Sequence, residues 1–236
     1  MDASLDAIFR RRAVRCFDEA EISDGLREQI LRAASYAPSS FNLQPYKLYW
    51  AESAKGRAEV AKLCLNQKPA ATASALVVAV ADLESLARTS ELQAAWMRAS
   101  AVTEEKVLSY ERDAKVGRIL FQTGPLGIFA AIKWFFFRVF SMFKVCGMPP
   151  LFRTDQVKWA MKSTSLACEN LMIASEALGM NTCPMEGFDG RRLLRYLGLS
   201  GRRHEVAMVI AIGKKSHDYV ERPQWRRPLE ETVTIL

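Results

Sequence analysis

Histidine is nearly missing from this sequence. The 236 residues hold two, His204 and His217, both in the last fifth of the chain. Histidine-built metal sites and most serine–histidine or cysteine–histidine nucleophile pairs therefore start with few candidates, and no metal site is expected. Cysteine is sparse too. The five at positions 16, 64, 146, 168 and 183 are odd in number and include no C-x-x-C pair. That spacing favours reduced thiols acting as small apolar side chains, in a reducing cytoplasm. The opening Met1-Asp-Ala-Ser-Leu-Asp6 lacks the basic-then-apolar order of a secretion signal. Four motifs are also missing: G-x-G-x-x-G, G-x-x-x-x-G-K-[ST], G-x-S-x-G and H-E-x-x-H. Their absence removes the dinucleotide fingerprint, the phosphate loop of nucleotide hydrolases, the hydrolase nucleophile elbow and the zinc protease. No RNP-like aromatic signature or Cys/His finger is present, so nucleic acid is not an expected partner.

What is present is an ordinary globular composition, half hydrophobic and a quarter charged. The length suits one sizeable core, and no internal repeat or low-complexity linker divides it. One domain over 1–236 with an insertion at about 85–150 is the simplest partition. Lysine and arginine exceed the acids 33 to 26, a net charge of +7 that favours anionic partners such as phosphate cofactors or an acidic membrane surface.

Helical spacing predicts a helix over 4–12 and a second one capped by Ser23. Strands are predicted at Tyr46–Ala51, Ala75–Ala81 and Val206–Ile212, the last two apolar on both faces and therefore covered on both sides. A long helix is predicted over 155–178, with Asp155 as N-cap and Gly179 closing it. Its Trp159, Leu166, Leu171 and Ile173 are expected at the surface, as a dimer face. The alternation of helices and strands predicts an α+β, layered α/β arrangement.

The insertion begins polar and turns into a run from Leu126 to Lys144 dense in Phe, Ile and Trp, broken by Lys133 and Arg138. Its longest uncharged stretch, 119–132, falls short of the roughly 20 residues of a bilayer span. A lid or dimer-interface helix pair, or a helix lying on a membrane surface through about 126–146, remain as readings.

Four motifs carry chemistry. Arg10-Arg-Arg-Ala-Val-Arg15 sets four guanidinium groups within six residues, which suits a phosphate. Ala37-Pro-Ser-Ser-Phe-Asn-Leu-Gln-Pro45 is a proline-bracketed loop of donors and acceptors ahead of a strand. Pro184-Met-Glu-Gly-Phe-Asp189 follows the long helix, with Gly187 allowing close backbone approach to a ligand. Arg222-Pro-Gln-Trp-Arg-Arg-Pro228 is a second arginine cluster. In this order the four resemble the FMN-dependent nitroreductase family over about 1–84 and 157–236.

The resemblance implies a nitroreductase-like fold, a central, mostly antiparallel sheet flanked by helices, in a homodimer with FMN at the subunit interface. It implies a phosphate clamp at Arg11, Arg12, Ala13 and Arg15, where Ala13 replaces the usual serine. Ser39, Ser40, Asn42 and Gln44 would reach the flavin from the partner subunit, and Asn66 would meet its pyrimidine edge. Pro69 stands at a family lysine position, with Lys68 beside it. Pro184, Met185, Glu186 and Gly187 would lie against the ring, the Glu186 N–H near flavin N5. Arg226 matches a phosphate-binding arginine, whereas Gln224 occupies the family's lysine position. Phe41, with aromatic residues of 126–146, would wall the substrate site. The activity implied is hydride transfer from NADH or NADPH through the flavin to a small electron-poor acceptor, a nitroaromatic or quinone. No catalytic side chain is required, because the chemistry belongs to the flavin. A specialised flavin reaction (reductive dehalogenation or substrate dehydrogenation) and a basic membrane-surface binding module are the alternatives.

Overall fold

The two apolar runs become the central strands. In the computed structural model, which describes residues 3–100 and 103–236, the elements in chain order are α1 (Ala3–Arg10), β1 (Phe17–Asp18), α2 (Asp24–Ser35), β2 (Tyr46–Ala51), α3 (Ala54–Leu63), α4 (Lys68–Thr72), β3 (Ala75–Asp82), α5 (Leu86–Ala99), α6 (Glu104–Phe121), α7 (Ile128–Phe143), α8 (Arg153–Ala177), β4 (Asn181–Met185), α9 (Gly190–Tyr196) and β5 (His204–Lys215). The sheet order is β1-β5-β3-β2, with β4 also pairing β5 and every strand pair antiparallel. The architecture is α+β, as expected.

β3 is buried at all eight positions. Successive side chains of a strand point to opposite faces, so β3 feeds two cores. Leu76, Val78 and Val80 pack with Val60, Cys64, Leu193 and Val209 on one face. Val77 and Ala79 pack with Ile30, Cys168, Leu171, Ile210 and Ile212 on the other. A one-residue irregularity shifts the β3–β5 register after Ala79, so that Val80 pairs with Val206 and Asp82 with His204. The cysteines are all free, and Cys64, Cys168 and Cys183 are buried.

Ser23 caps α2 as expected, accepting from the Leu26 N–H at 3.3 Å. α8 departs from expectation at both ends and along its surface. Its N-cap is Phe152 rather than Asp155, which sits in the first turn where a carboxylate favours the helix dipole. It ends at Ala177, and Gly179 follows with a left-handed φ of +75°. Leu171 is 0% exposed, because α8 runs across the sheet and packs on α2. Of the four residues expected on a dimer face, only Leu166 is well exposed. Leu171→Ala is accordingly expected to cost about 2–5 kcal/mol in urea unfolding. A loss below about 1 kcal/mol would return that residue to the surface.

Between β3 and α8 the chain forms α5, α6 and α7. The stretch Pro125–Phe143 is 19 residues and, by length and composition alone, sufficient to cross a membrane. The uncharged-run criterion underestimated it, since Lys133 and Arg138 do not interrupt the helix.

Candidate functional site

The arginine segment and the loop after α8 meet at the sheet edge. Ala13 bridges Thr182 in parallel, and the Val14 N–H donates to the Thr182 carbonyl at 2.9 Å. That bond fixes which way β4 faces. In an antiparallel ladder alternate residues turn their polar groups toward the neighbour. With Thr182 pointing at Val14, Pro184 also points away from β5, and the same alternation continued one residue beyond the strand turns Glu186 that way. Pro184 has no N–H to leave unpaired at this edge. The Glu186 N–H faces outward, with no acceptor among the described residues.

Arg15 lies close enough to Cys183 to oppose the upward push of burial on its thiol. Arg11 Nε is 3.6 Å from Glu169, a half-exposed carboxylate. Arg12 Nη1 donates to the Arg222 carbonyl at 2.6 Å. Gln224, at the family's lysine position, takes a structural part: its Nε2 donates to the Phe9 and Arg11 carbonyls, each at 3.2 Å. The C-terminal arginine cluster is thereby held on the N-terminal one. Arg226 Nη1 donates to the carbonyl of its neighbour Trp225 at 2.8 Å.

Asn66 joins the same edge through its neighbour. Gln67 Nε2 donates to the Gly187 carbonyl at 2.5 Å and the Cys64 carbonyl at 3.1 Å, and the Asp189 N–H donates to the Leu63 carbonyl. Leu65 and Asn66 hold positive φ of 59° and 48°, a conformation side chains seldom adopt, which leaves Asn66 exposed beside 186–189. Gly187 also packs against Gln67. A Cβ there would sit 2.9 Å from Gln67 Nε2, so glycine admits this side chain. Gln67→Ala removes both bonds and is expected to cost about 1–2 kcal/mol in denaturant unfolding, with faster amide exchange at Asp189.

Ser39, Ser40, Asn42 and Gln44 are not brought to this edge. Their loop leads into β2, and the Pro45 carbonyl accepts from Asp82 at the far end of β3. Thr182 aligns with Ile212 and thus with Ala75 at the opposite end. At about 3.3 Å per residue and 4.8 Å per strand, the two sets are on the order of 20 Å apart. The loop is strained, with φ of 55°, 52° and 45° at Phe41, Asn42 and Gln44. Ser39 Oγ accepts from the Gln44 N–H, Gln44 Nε2 donates to Asn42 Oδ1, and Gln93 on α5 donates to the Phe41 carbonyl. Phe41 is left 75% exposed.

Phe41 also lines an apolar cavity of about 1190 Å³ between the body and the inserted helices. Tyr110, Phe121, Phe129, Phe137 and Trp159 share its wall, and Glu84 and Arg203 supply charge. Beside it lies a cluster that sequence reasoning missed. Asp82, fully buried, accepts from the Glu84 and Ser85 N–H groups at 2.8 and 3.2 Å and pairs with Lys47 Nζ at 3.0 Å. His204 Nδ1 faces the Ser200 carbonyl at 3.0 Å, and its Nε2 faces Asp82 and Glu84 at 3.2 and 3.5 Å. The available signal was an Asp directly ending a run apolar on both faces.

A profile of the nitroreductase family matches residues 8–214. The chain belongs to that family. Among its relatives, the DrgA protein of Synechocystis is 26% identical over 216 residues, covering 91% of this chain and 85% of its own. The oxygen-insensitive NAD(P)H nitroreductase of Salmonella typhimurium is 25% identical, with 98% of each covered. A nitroreductase-type protein of Exiguobacterium sibiricum, solved in complex with FMN, shares the fold at a TM-score of 0.72 and 21% identity, covering 98% of this chain and 96% of its own.

Proposed function

We propose that this nitroreductase-family protein is a cytoplasmic, homodimeric FMN oxidoreductase that uses NADH or NADPH to reduce a small electron-poor acceptor. The convergence of Arg11–Arg15, Asn66 and the outward Glu186 N–H on one sheet edge carries this reading. FMN held there would supply the redox chemistry, two-electron transfer between nicotinamide and a nitroaromatic or quinone in a ping-pong sequence. The donor set suits that group. The guanidinium forks of Arg11, Arg12 and Arg15, with Arg226 from the tail, match a phosphate dianion. Ala13 adds no hydroxyl, so the clamp leans on Arg11 and Arg15. The Asn66 amide offers a donor and an acceptor to a pyrimidine edge. Pro184, Met185 and Gly187 line the ring, and the Glu186 N–H serves its N5 position, favouring negative charge there.

Ser39, Ser40, Asn42 and Gln44 complete the site from a second copy, since the protomer's own loop lies at the far end of the sheet. Phe41 travels with that loop and walls the acceptor pocket. Because the chemistry would be carried by the flavin, no acid–base dyad is required of the chain. Free cysteines support a reducing compartment. Initial rates at varied NADH or NADPH and varied quinone or nitroaromatic are expected to give parallel double-reciprocal lines. Absence of turnover with both donors would overturn the reading. A second reading, a specialised flavin reaction such as reductive dehalogenation or substrate dehydrogenation, is favoured by the large cavity built by the inserted helices. Rapid turnover of simple quinones counts against it.

A further inference from the structure

α7 is turned inside out relative to an ordinary surface helix. The residues it presents to the protein are Ala130, Lys133, Phe137 and Ser141, at helical spacing, whereas Phe135, Phe136, Phe140 and Phe143 are exposed. Phe135, Phe136 and Phe143 are 59%, 67% and 79% exposed. Lys133 fixes this orientation. Its ammonium donates to the Ile119, Leu120 and Gln122 carbonyls at 2.6, 2.9 and 2.6 Å, capping the C-terminus of α6. Burial lowers its pKa, the sign expected for an ammonium drawn out of water. Rolling α7 to hide its aromatic face would break all three bonds.

The stretch of chain that carries this face has charge of one sign. Between Asp113 and Asp155 the chain has no Asp or Glu but carries Lys115, Arg118, Lys133, Arg138, Lys144 and Arg153. Arg138 and Lys144 are exposed at the apolar face and its end. We propose that α7 is a docking element for an anionic lipid surface, lying in the headgroup layer with Phe135, Phe136, Phe140 and Phe143 inserted and Arg138 and Lys144 on acidic headgroups.

A second copy of the chain is the less favoured occupant. Were the same segment of a second copy to meet this face, these cations would be brought together with no acid in the segment to offset them. A spanning helix is disfavoured by the path of the chain. Gln156 Nε2 donates to the Phe121 and Leu151 carbonyls at 2.9 and 3.4 Å, so both ends of the excursion return to one point on α8. At about 1.5 Å per residue α7 is about 24 Å long and lies flat within that loop. Phe129 and Phe137 of the same helix line the cavity, so docking sets that cavity at the lipid boundary. The proposal is independent of the flavin reading.

The test is co-sedimentation of the full chain with vesicles of phosphatidylcholine alone or mixed with phosphatidylglycerol, at low and high salt. Binding is expected to the anionic vesicles and to weaken with salt. Phe135→Ser with Phe136→Ser should weaken partitioning by about two orders of magnitude. Arg138→Glu with Lys144→Glu should weaken it roughly tenfold or more. Both pairs are exposed, so circular dichroism and melting temperature should match the wild type. Trp134 fluorescence should be quenched by lipids brominated on the acyl chain. Wild-type protein that stays in the supernatant with anionic vesicles at low salt overturns the proposal. So does self-association that the Phe135→Ser, Phe136→Ser variant abolishes, which would assign the face to a second copy.

Discussion

Protein carrying Arg11→Ala and Arg15→Ala together is expected to purify without flavin. The two residues flank Ala13, whose bridge to Thr182 pins the segment to β4 and so fixes where both guanidinium groups leave the backbone. A hydrogen bond between charged partners contributes about 1.5–3 kcal/mol, so losing two arginines should weaken FMN binding roughly 10²- to 10⁴-fold. Net charge alone does not account for such a loss. Arg32→Ala with Lys55→Ala removes the same charge from exposed positions on α2 and α3 and should leave FMN affinity within about a factor of two. Flavin titration followed by quenching of flavin fluorescence measures both. Equal affinity in the clamp variant and the wild type would remove the arginine segment from the site.

Asp82→Ala should produce the largest loss of stability of any single change considered. The carboxylate is fully buried, accepts from two backbone N–H groups and pairs with Lys47. Removing it leaves the Glu84 and Ser85 N–H groups without their acceptor and Lys47 without its partner, at a cost of about 3–5 kcal/mol. For a chain of this size that corresponds to a fall in melting temperature of roughly 6–20 °C. The carboxyl also titrates in a defined direction. Burial pushes its pKa up, but the bonds from Lys47, Glu84 and Ser85 outweigh that and hold it below the ordinary aspartate value. A depressed carboxyl contributes stability that is complete above its unfolded pKa and is lost as pH falls through its folded one. The wild type should therefore lose part of its stability below about pH 4, and Asp82→Asn should show a flatter acid limb. Identical acid limbs would mean that Asp82 is not ionised in the folded protein.

The sheet was legible because burial on both faces leaves an unbroken apolar run. Ala75–Ala81 and Val206–Ile212 mark the two strands at the centre, and the structure extends them only at their polar ends. α8 was legible in length but not in surroundings. A long helix rich in Leu, Met and Ala has the same composition whether it crosses a sheet or faces a second subunit, and Leu171 was placed at the surface for that reason. Arg11–Arg15 and 184–187 lie along one edge through the Ala13–Thr182 bridge, and Asn66 neighbours them through the Gln67–Gly187 bond, neither of which the sequence displays. Gln67 escaped notice, and Gln224 was read only as a departure from the family's lysine, because an amide that ties one backbone segment to another has no sequence pattern. The Asp82–His204 cluster escaped because its partners are joined by strand register, set in turn by one irregularity after Ala79.

The central claim is that the β4 edge holds FMN and that nicotinamide reduces it there. The most direct measurement is the visible spectrum of the purified protein before and after NADH or NADPH is added without oxygen, followed by chromatography of the flavin released on heating. The account predicts the yellow absorption bands of oxidised flavin, bleaching with at least one nicotinamide, and FMN as the released species. Protein that is colourless, and remains so after incubation with FMN and removal of excess, would contradict it.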